Sequence, residues 1–329
     1  MNDLIGFKQE FEIVYKNLIS KKLNNSVLIC GNKGIGKFFF INKIIEKYIK
    51  LNTNQNQRNH HLTIFYNNSH PNIKILNKKI DDKTKKLKNF ISIDQIRELN
   101  NFFIETSVID NMPKFVLIDS SDHLNTSSSN ALLKVLEEPK KNTYFFLISH
   151  QPSLLLPTIK SRCLKLNLSS HNLHDFQTII ENKELSLNEE ILKLLFDITN
   201  GSPGIYFDLN FDDIQFQFDE LKYSITENEL FSISQKNLIN LFSTFDNDKL
   251  NIFLSLIKFI LVVFKKAKIG IDISHSYLSK SVLDINNLCN KINLDTIDKK
   301  FDYLINNEND LITFNLDKKI FMINFFATR

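Results

Sequence analysis

Tryptophan is absent from this chain of 329 residues, and cysteine occurs only at Cys30, Cys163 and Cys289. The three cysteines are odd in number, scattered and without C-x-x-C spacing. That pattern argues against a disulfide framework and fits a reducing cytosol. No apolar run reaches the ~20 residues that a bilayer span requires. The most hydrophobic stretch, Ile252 to Phe264, is interrupted by Lys258 and reads as a buried helix. Charge of one sign is not in excess either. With 41 basic and 37 acidic residues the net charge is +4, which permits nucleic-acid contact without indicating it. Met1-Asn2-Asp3-Leu4 opens no long apolar run, so no secretory signal is expected. No internal repeat is visible. The expectation is a soluble, cytoplasmic protein without membrane attachment.

What is present describes a globular chain: 43% apolar and 24% charged residues, at a length that predicts two or three domains. The 29 phenylalanines, with abundant Lys, Asn and Ile, point to AT-biased codon usage, which blunts arguments from composition.

Apolar positions at helical spacing predict a helix over Phe7 to Lys21. Ser26-Val27-Leu28-Ile29-Cys30 reads as a buried parallel strand, followed by a helix over Lys37 to Ile49. The polar segment Leu51 to His60 predicts a loop, and Leu62-Thr63-Ile64-Phe65 a strand. Further strands are expected at Phe115 to Ile118, Thr143 to Ile148 and Cys163 to Leu168. Helices are expected at Ile93 to Glu105 and Ser128 to Glu138, the latter capped by Ser127 or Thr126 and stopped by Pro139. Strands alternating with helices predict an α/β parallel sheet. His171 to Asn200 predicts two short helices closed by Gly201-Ser202-Pro203-Gly204, and beyond about Phe211 only amphipathic helices follow.

Gly31-Asn32-Lys33-Gly34-Ile35-Gly36-Lys37 fits the phosphate-loop pattern G-x-x-x-x-G-K, between a strand and a helix. In such a loop backbone N–H groups cradle phosphates, the Lys reaches the β/γ-phosphates, and a following Ser or Thr ligates Mg²⁺. Here the following residue is Phe38, which offers no oxygen. A second apolar strand ends in Asp119, the carboxylate that helps hold Mg²⁺ in P-loop proteins, unless it merely caps a core strand. The next position, commonly a Glu that polarises water, is Ser120. Both substitutions strike the same chemistry. Gly31, Gly34, Gly36, Lys37 and Asp119 thus form a degenerate nucleotide site, with room for a bound, non-hydrolysed ATP or ADP and no cofactor required.

Asn130-Ala131-Leu132-Leu133-Lys134-Val135-Leu136-Glu137-Glu138-Pro139, followed by a strand and by Ser161-Arg162-Cys163, resembles the AAA+ clamp-loader subunits of bacterial DNA polymerase III. Their hallmarks are an N-A-L-L-K-x-L-E-E-P helix and an S-R-C triplet. The resemblance runs from Gly31 to about Gly204. Ser69-His70-Pro71-Asn72, Ile93-Asp94-Gln95-Ile96-Arg97 and Gly201-Ser202-Pro203-Gly204 are similar to the H-P-D, V-D-x-[IV]-R and G-S-P-G segments of the stator type in that family.

The resemblance implies an AAA+ P-loop-like α/β domain over 1–167, a small helical lid over 168–210 and an all-α collar over 211–329. It implies that Arg162 acts in trans as an arginine finger in the ATP site of a neighbouring motor subunit. Arg suits that task, being always charged and donating through a planar fork. The implied partners are motor (gamma/tau) subunits and a clamp-opening (delta) subunit in a pentameric ring, with the sliding clamp and primed DNA reached through the complex. No intrinsic ATPase is expected, although the complex serves a DNA-directed DNA polymerase. An ATP-hydrolysing motor subunit is one alternative, and another AAA+ repair or remodelling ATPase is a second. A nucleotide-binding protein without catalysis lies between.

Relatives commonly carry a four-Cys zinc module near Leu51 to His70, a region that has no Cys here. His60, His61 and His70 alone do not make such a site, so no zinc is expected and these residues read as surface groups. Cys163 reads as a small buried hydrophobe and the pair Glu137 and Glu138 as a solvated helix end. The Lys-rich run Lys78 to Lys88 reads as a solvated loop.

Overall fold

The computed structural model describes residues 3–81, 85–104, 112–183, 189–207, 211–227, 229–271, 273, 282–313 and 316–329. The chain divides into two compact units, Met1–His171 and Asn172–Arg329. In the first unit the order is α1 (Lys8–Ile19), β1 (Ser26–Cys30), α2 (Lys37–Asn52), α3 (Gln55–Tyr66), β2 (Ile73–Leu76), α4 (Ile93–Arg97) and α5 (Leu99–Ile104). There follow β3 (Lys114–Ile118), α6 (Thr126–Glu137), β4 (Thr143–Ser149), α7 (Pro157–Lys160) and β5 (Leu164–Asn167).

The five strands pair in parallel in the order β2-β3-β4-β1-β5. Side chains alternate across a strand, so each strand feeds two cores. Val27, Ile29, Phe115, Leu117, Phe146 and Ile148 pack with Phe40, Ile41, Ile44 and Ile45 of α2 on one face. The intervening Leu28, Cys30, Val116, Ile118, Phe145 and Leu147 pack with Ile96, Leu99 and Leu132 on the other. Each such side chain, fully buried, contributes roughly 1.5–3 kcal/mol. Coverage of both faces is why β1, β3 and β4 read as unbroken apolar runs.

Four expectations are corrected here. Leu62-Thr63-Ile64-Phe65 is not a strand but the end of α3, and the expected loop over 51–60 is instead the close of α2 and the start of α3. The buried residues of α3 are His61 and Phe65, four apart and therefore on one helical face. A four-residue apolar run does not by itself separate strand from helix. The sheet edge is supplied by Ile73-Lys74-Ile75-Leu76, whose lysine breaks the apolar run. Of the helix expected from Ile93 to Glu105, the described part to Ile104 is two helices meeting at Glu98, the first opened by a reciprocal Ser92–Gln95 capping box, and position 105 lies outside the described residues. Helix α6 is capped by Asn125, which accepts from the Ser128 N–H at 2.9 Å, rather than by Thr126 or Ser127.

The second unit consists, among its described residues, of helices. They are α8 (Leu173–Glu181), α9 (Glu189–Ile198), α10 (Pro203–Phe207), α11 (Phe211–Thr226), α12 (Ile233–Thr244), α13 (Asn247–Lys268), α14 (Val282–Cys289), α15 (Leu294–Thr313) and α16 (Lys318–Ala327). One apolar cluster runs from Phe176 and Ile198 through Phe242, Phe253 and Leu304 to Phe325, so the expected lid and collar segments share it. Within α13, Ile252 to Phe264 is helical, and Lys258 pairs with Glu308. Among the described residues no helix is long and apolar enough to cross a membrane.

Candidate functional site

The end of β1, the loop 31–36 and the first turn of α2 lie at the carboxyl end of the sheet, beside the ends of β3, β4 and β5. Gly31 sits where a side chain does not fit. With φ 151°, a Cβ there would meet the Leu168 carbonyl oxygen at 2.3 Å and Ile35 Cδ1 at 2.6 Å. Gly36, the residue before α2, has φ 94° and open space around it, so its requirement is conformational. The loop is further held by His171, whose Nε2–H donates to the Ile35 carbonyl at 2.9 Å. Asn32 Nδ2 donates to Ser170 Oγ at 3.0 Å.

Lys37 is buried, and its Nζ donates to the carbonyls of Gly31 and Asn32, each at 2.6 Å. The ammonium is folded onto its own loop. Burial lowers the Lys37 pKa to about 8, against the opposing pull of Asp122 and Asp119. Phe38 packs its ring against the core under α2 and brings no oxygen to the loop. Asp119 is half-buried; burial raises its pKa, Lys37 lowers it and Asp122 raises it further.

Asp122 is the residue that sequence reasoning missed. Its carboxylate accepts from Ser120 Oγ at 2.8 Å, Ser149 Oγ at 2.5 Å, and the backbone N–H groups of His150 at 2.6 Å and Gln151 at 3.2 Å. The last three of these contacts clasp the turn after β3 to the end of β4, and the Ser120 contact closes the turn on itself. The only signal in the sequence was a second acid, three residues after Asp119. Ser120 is therefore buried as part of this clasp rather than directed at a water. His150 also borders the site: burial and the nearby Lys37 lower its pKa to about 4, partly offset by Asp122. Its buried Nδ1 has no hydrogen-bond partner among the described residues.

The structure thus brings together Gly31, Gly34, Gly36, Lys37 and Asp119, and adds Asp122 and His150. Glycine backbone N–H groups at a helix start suit a phosphate chain. No hydroxyl stands at position 38 and no carboxylate at position 120 to handle a metal or a water.

Arg162 takes its contacts elsewhere. Nη1 donates to the Thr158 carbonyl of α7 at 2.9 Å, and Nη2 to Glu137 Oε1, on the last residue of α6, at 2.5 Å. Glu137 is therefore paired rather than a free helix end. Cys163 is half-buried, and burial pushes its thiol up to about 11, so no thiolate forms near neutral pH. The histidines near 60–70 need correction. His61 and His70 are 3% and 2% exposed, with ring centres 5.5 Å apart, while His60 alone is exposed. His70 Nδ1 accepts from the Asn72 N–H at 3.1 Å, and burial lowers its pKa to about 4. Among the described residues no group of three or more His, Cys, Asp or Glu is placed to hold a metal. In the Lys-rich run, Ile80 and Leu87 form an antiparallel bridge, and residues 82–84 lie outside the described residues.

A sequence profile described as "DNA polymerase III, delta subunit" matches residues 7–172. "DNA polymerase III subunit delta'" of Pseudomonas aeruginosa is 49% identical over 75 residues, 23% of each chain. The protein of the same name from Haemophilus influenzae is 31% identical over 174 residues, 52% of this chain and 51% of that one. The chain thus spans about half, or less, of the length of these curated relatives. A solved DNA polymerase III gamma subunit-related protein of Thermotoga maritima aligns over 96% of this chain and 97% of its own, at 16% identity and a TM-score of 0.42.

Proposed function

Given that the chain belongs to the DNA polymerase III delta-subunit family of clamp-loader proteins, we propose that it works as a stator. It supports ATP-driven loading of the sliding clamp onto primed DNA without hydrolysing ATP itself. The observation that carries this reading is the state of the loop. Lys37 is bonded to Gly31 and Asn32, Phe38 is packed into the core, and Ser120 is tied to Asp122. The frame of a phosphate site is present and the groups for metal-assisted hydrolysis are replaced. A non-hydrolysed ATP or ADP on the glycine loop belongs to the same proposal, without zinc.

Chemistry would then depend on a neighbour. Arg162 is offered as the arginine finger, supplied to the ATP site of a motor subunit. A finger in trans is worth roughly 10³–10⁵ in rate for phosphoryl transfer. The partners proposed are motor (gamma/tau) subunits and a clamp-opening (delta) subunit in a pentameric ring, in the cytoplasm. The segments 168–210 and 211–329 would act as lid and collar.

The test is reconstitution of the full complex with wild-type chain and with Arg162→Ala. The expectation is normal assembly by gel filtration and reduced clamp-dependent ATPase. An unchanged ATPase in that variant, or turnover of Mg²⁺-ATP by the isolated wild-type chain, would count against the stator reading.

A further inference from the structure

We infer that Glu137 is a positioning residue for Arg162: its carboxylate holds the guanidinium in the orientation that it presents to a neighbouring subunit. The inference rests on the arginine-finger reading above. Arg162 is held at two points from two elements, Nη2 at Glu137 Oε1 (2.5 Å, the end of α6) and Nη1 at the Thr158 carbonyl (2.9 Å, α7). One contact would leave the planar fork free to swing, and two fix its plane. Guanidinium carries five N–H donors. Two are engaged in these contacts, which leaves Nε–H and one N–H on each terminal nitrogen. That is enough for a two-point grip on the oxygens of a phosphate.

Neither local helix stability nor burial accounts for the pair. Glu137 closes α6, where a carboxylate faces the negative end of the helix dipole and is locally unfavourable. The side chains of Arg162 and Glu137 are 35% and 48% exposed, and exposed pairs contribute little to stability. What the contact does is order a long side chain that would otherwise sample many rotamers. The adjacent Glu138 is exposed and bonds no part of Arg162 among the described residues. Glu138 lies just past the end of α6, with non-helical φ −122° and ψ 67°, and of the two acids only Glu137 meets the arginine. Glu138 is thus a built-in control.

The experiment uses the whole reconstituted clamp loader with sliding clamp and primed DNA, and reads single-turnover ATP hydrolysis. Glu137→Ala is expected to lower the rate constant at the site facing Arg162 by about tenfold, with the ATP concentration for half-maximal rate unchanged. Glu137→Gln, which keeps an acceptor oxygen, is expected to recover most of the rate, and Glu138→Ala to match wild type. Combined with Arg162→Ala, the Glu137→Ala change is expected to add nothing, because it acts only through the arginine. Gel filtration and the thermal midpoint check that each variant assembles and folds. If Arg162→Ala is slow while Glu137→Ala is as fast as wild type or faster, this inference alone is overturned. A further loss from Glu137→Ala in the Arg162→Ala background, or failure of Glu137→Ala to assemble, overturns it as well. An unchanged rate in Arg162→Ala overturns both this inference and the finger reading beneath it.

Discussion

The carboxylate of Asp122 accepts the backbone N–H of His150 at 2.6 Å and so joins the turn after β3 to the end of β4. With Ser149, Gln151 and Ser120 on the same carboxylate, the two strand ends that border the loop are fixed relative to each other. Asp122→Ala leaves those donors without an acceptor. Hydrogen bonds to a charged group are worth about 1.5–3 kcal/mol each, and the loss is softened by water reaching a half-buried site. A destabilisation of about 2–4 kcal/mol is expected, read as a lower urea midpoint. Asp122→Asn, which keeps an acceptor, should lose less. A midpoint unchanged in Asp122→Ala would show that the clasp is not structural.

The two loop glycines should differ. Gly31→Ala drives a Cβ into the Leu168 carbonyl, which is backbone and has little room to retreat. Gly36→Ala meets no atom within 4 Å and bears only the strain of φ 94°, roughly 1–2 kcal/mol. Gly31→Ala is therefore expected to be the more damaging by thermal melting, by a margin of at least ~2 kcal/mol. Equal midpoints would contradict the close approach at Gly31.

Acid should weaken the first unit in a defined window. The folded pKa of His70 is lowered to about 4 by burial, below the ordinary 6.5. The unfolded chain then binds a proton that the folded chain refuses. Stability is unaffected above about pH 6.5, falls as pH drops toward 4, and levels off below that. The contribution of this one residue is up to about 3 kcal/mol. His70→Gln should flatten the fall in urea midpoint between pH 6.5 and 4.5; an identical slope in wild type and variant would assign the acid sensitivity to other groups.

Any phosphate held by the loop must draw Lys37 away from the Gly31 and Asn32 carbonyls. ADP binding to the isolated chain, measured by calorimetry in EDTA, should weaken at least about tenfold in Lys37→Met, the loss of one charged hydrogen-bonding group. It should also weaken above about pH 8, where the amine loses its proton. Added Mg²⁺ should not tighten it, since Phe38 supplies no ligand. Tightening by Mg²⁺ would reveal metal-handling groups at positions other than 38 and 120.

Much of this was legible in the chain itself, and the rest failed for identifiable reasons. Strands buried on both faces announce themselves, so β1, β3 and β4 are legible nearly to the residue. The edge strand β2 is not, because four residues with Lys74 among them resemble a loop. The loop glycines and Lys37 are legible from spacing alone, since a phosphate loop is local. Asp122 was invisible because its meaning comes from residues 27 or more positions away, brought close only by the pairing of β3 and β4. The burial of His61 and His70 was hidden in the same way, since neither lies in an apolar pattern that marks an inward face.

The strand order has a last consequence, for synthesis. Among the described strands β1 is synthesised before the others, yet its neighbours are β4 and β5, which begin at Thr143 and Leu164. At ribosomal speed that separation is on the order of ten seconds. Through that interval Ser26–Cys30 has both backbone edges open and an apolar surface on either side, the state most prone to pair with the wrong chain. A nascent chain stalled before Thr143 would carry the whole phosphate loop without β4, β5 or the Ser170 and His171 contacts that hold it.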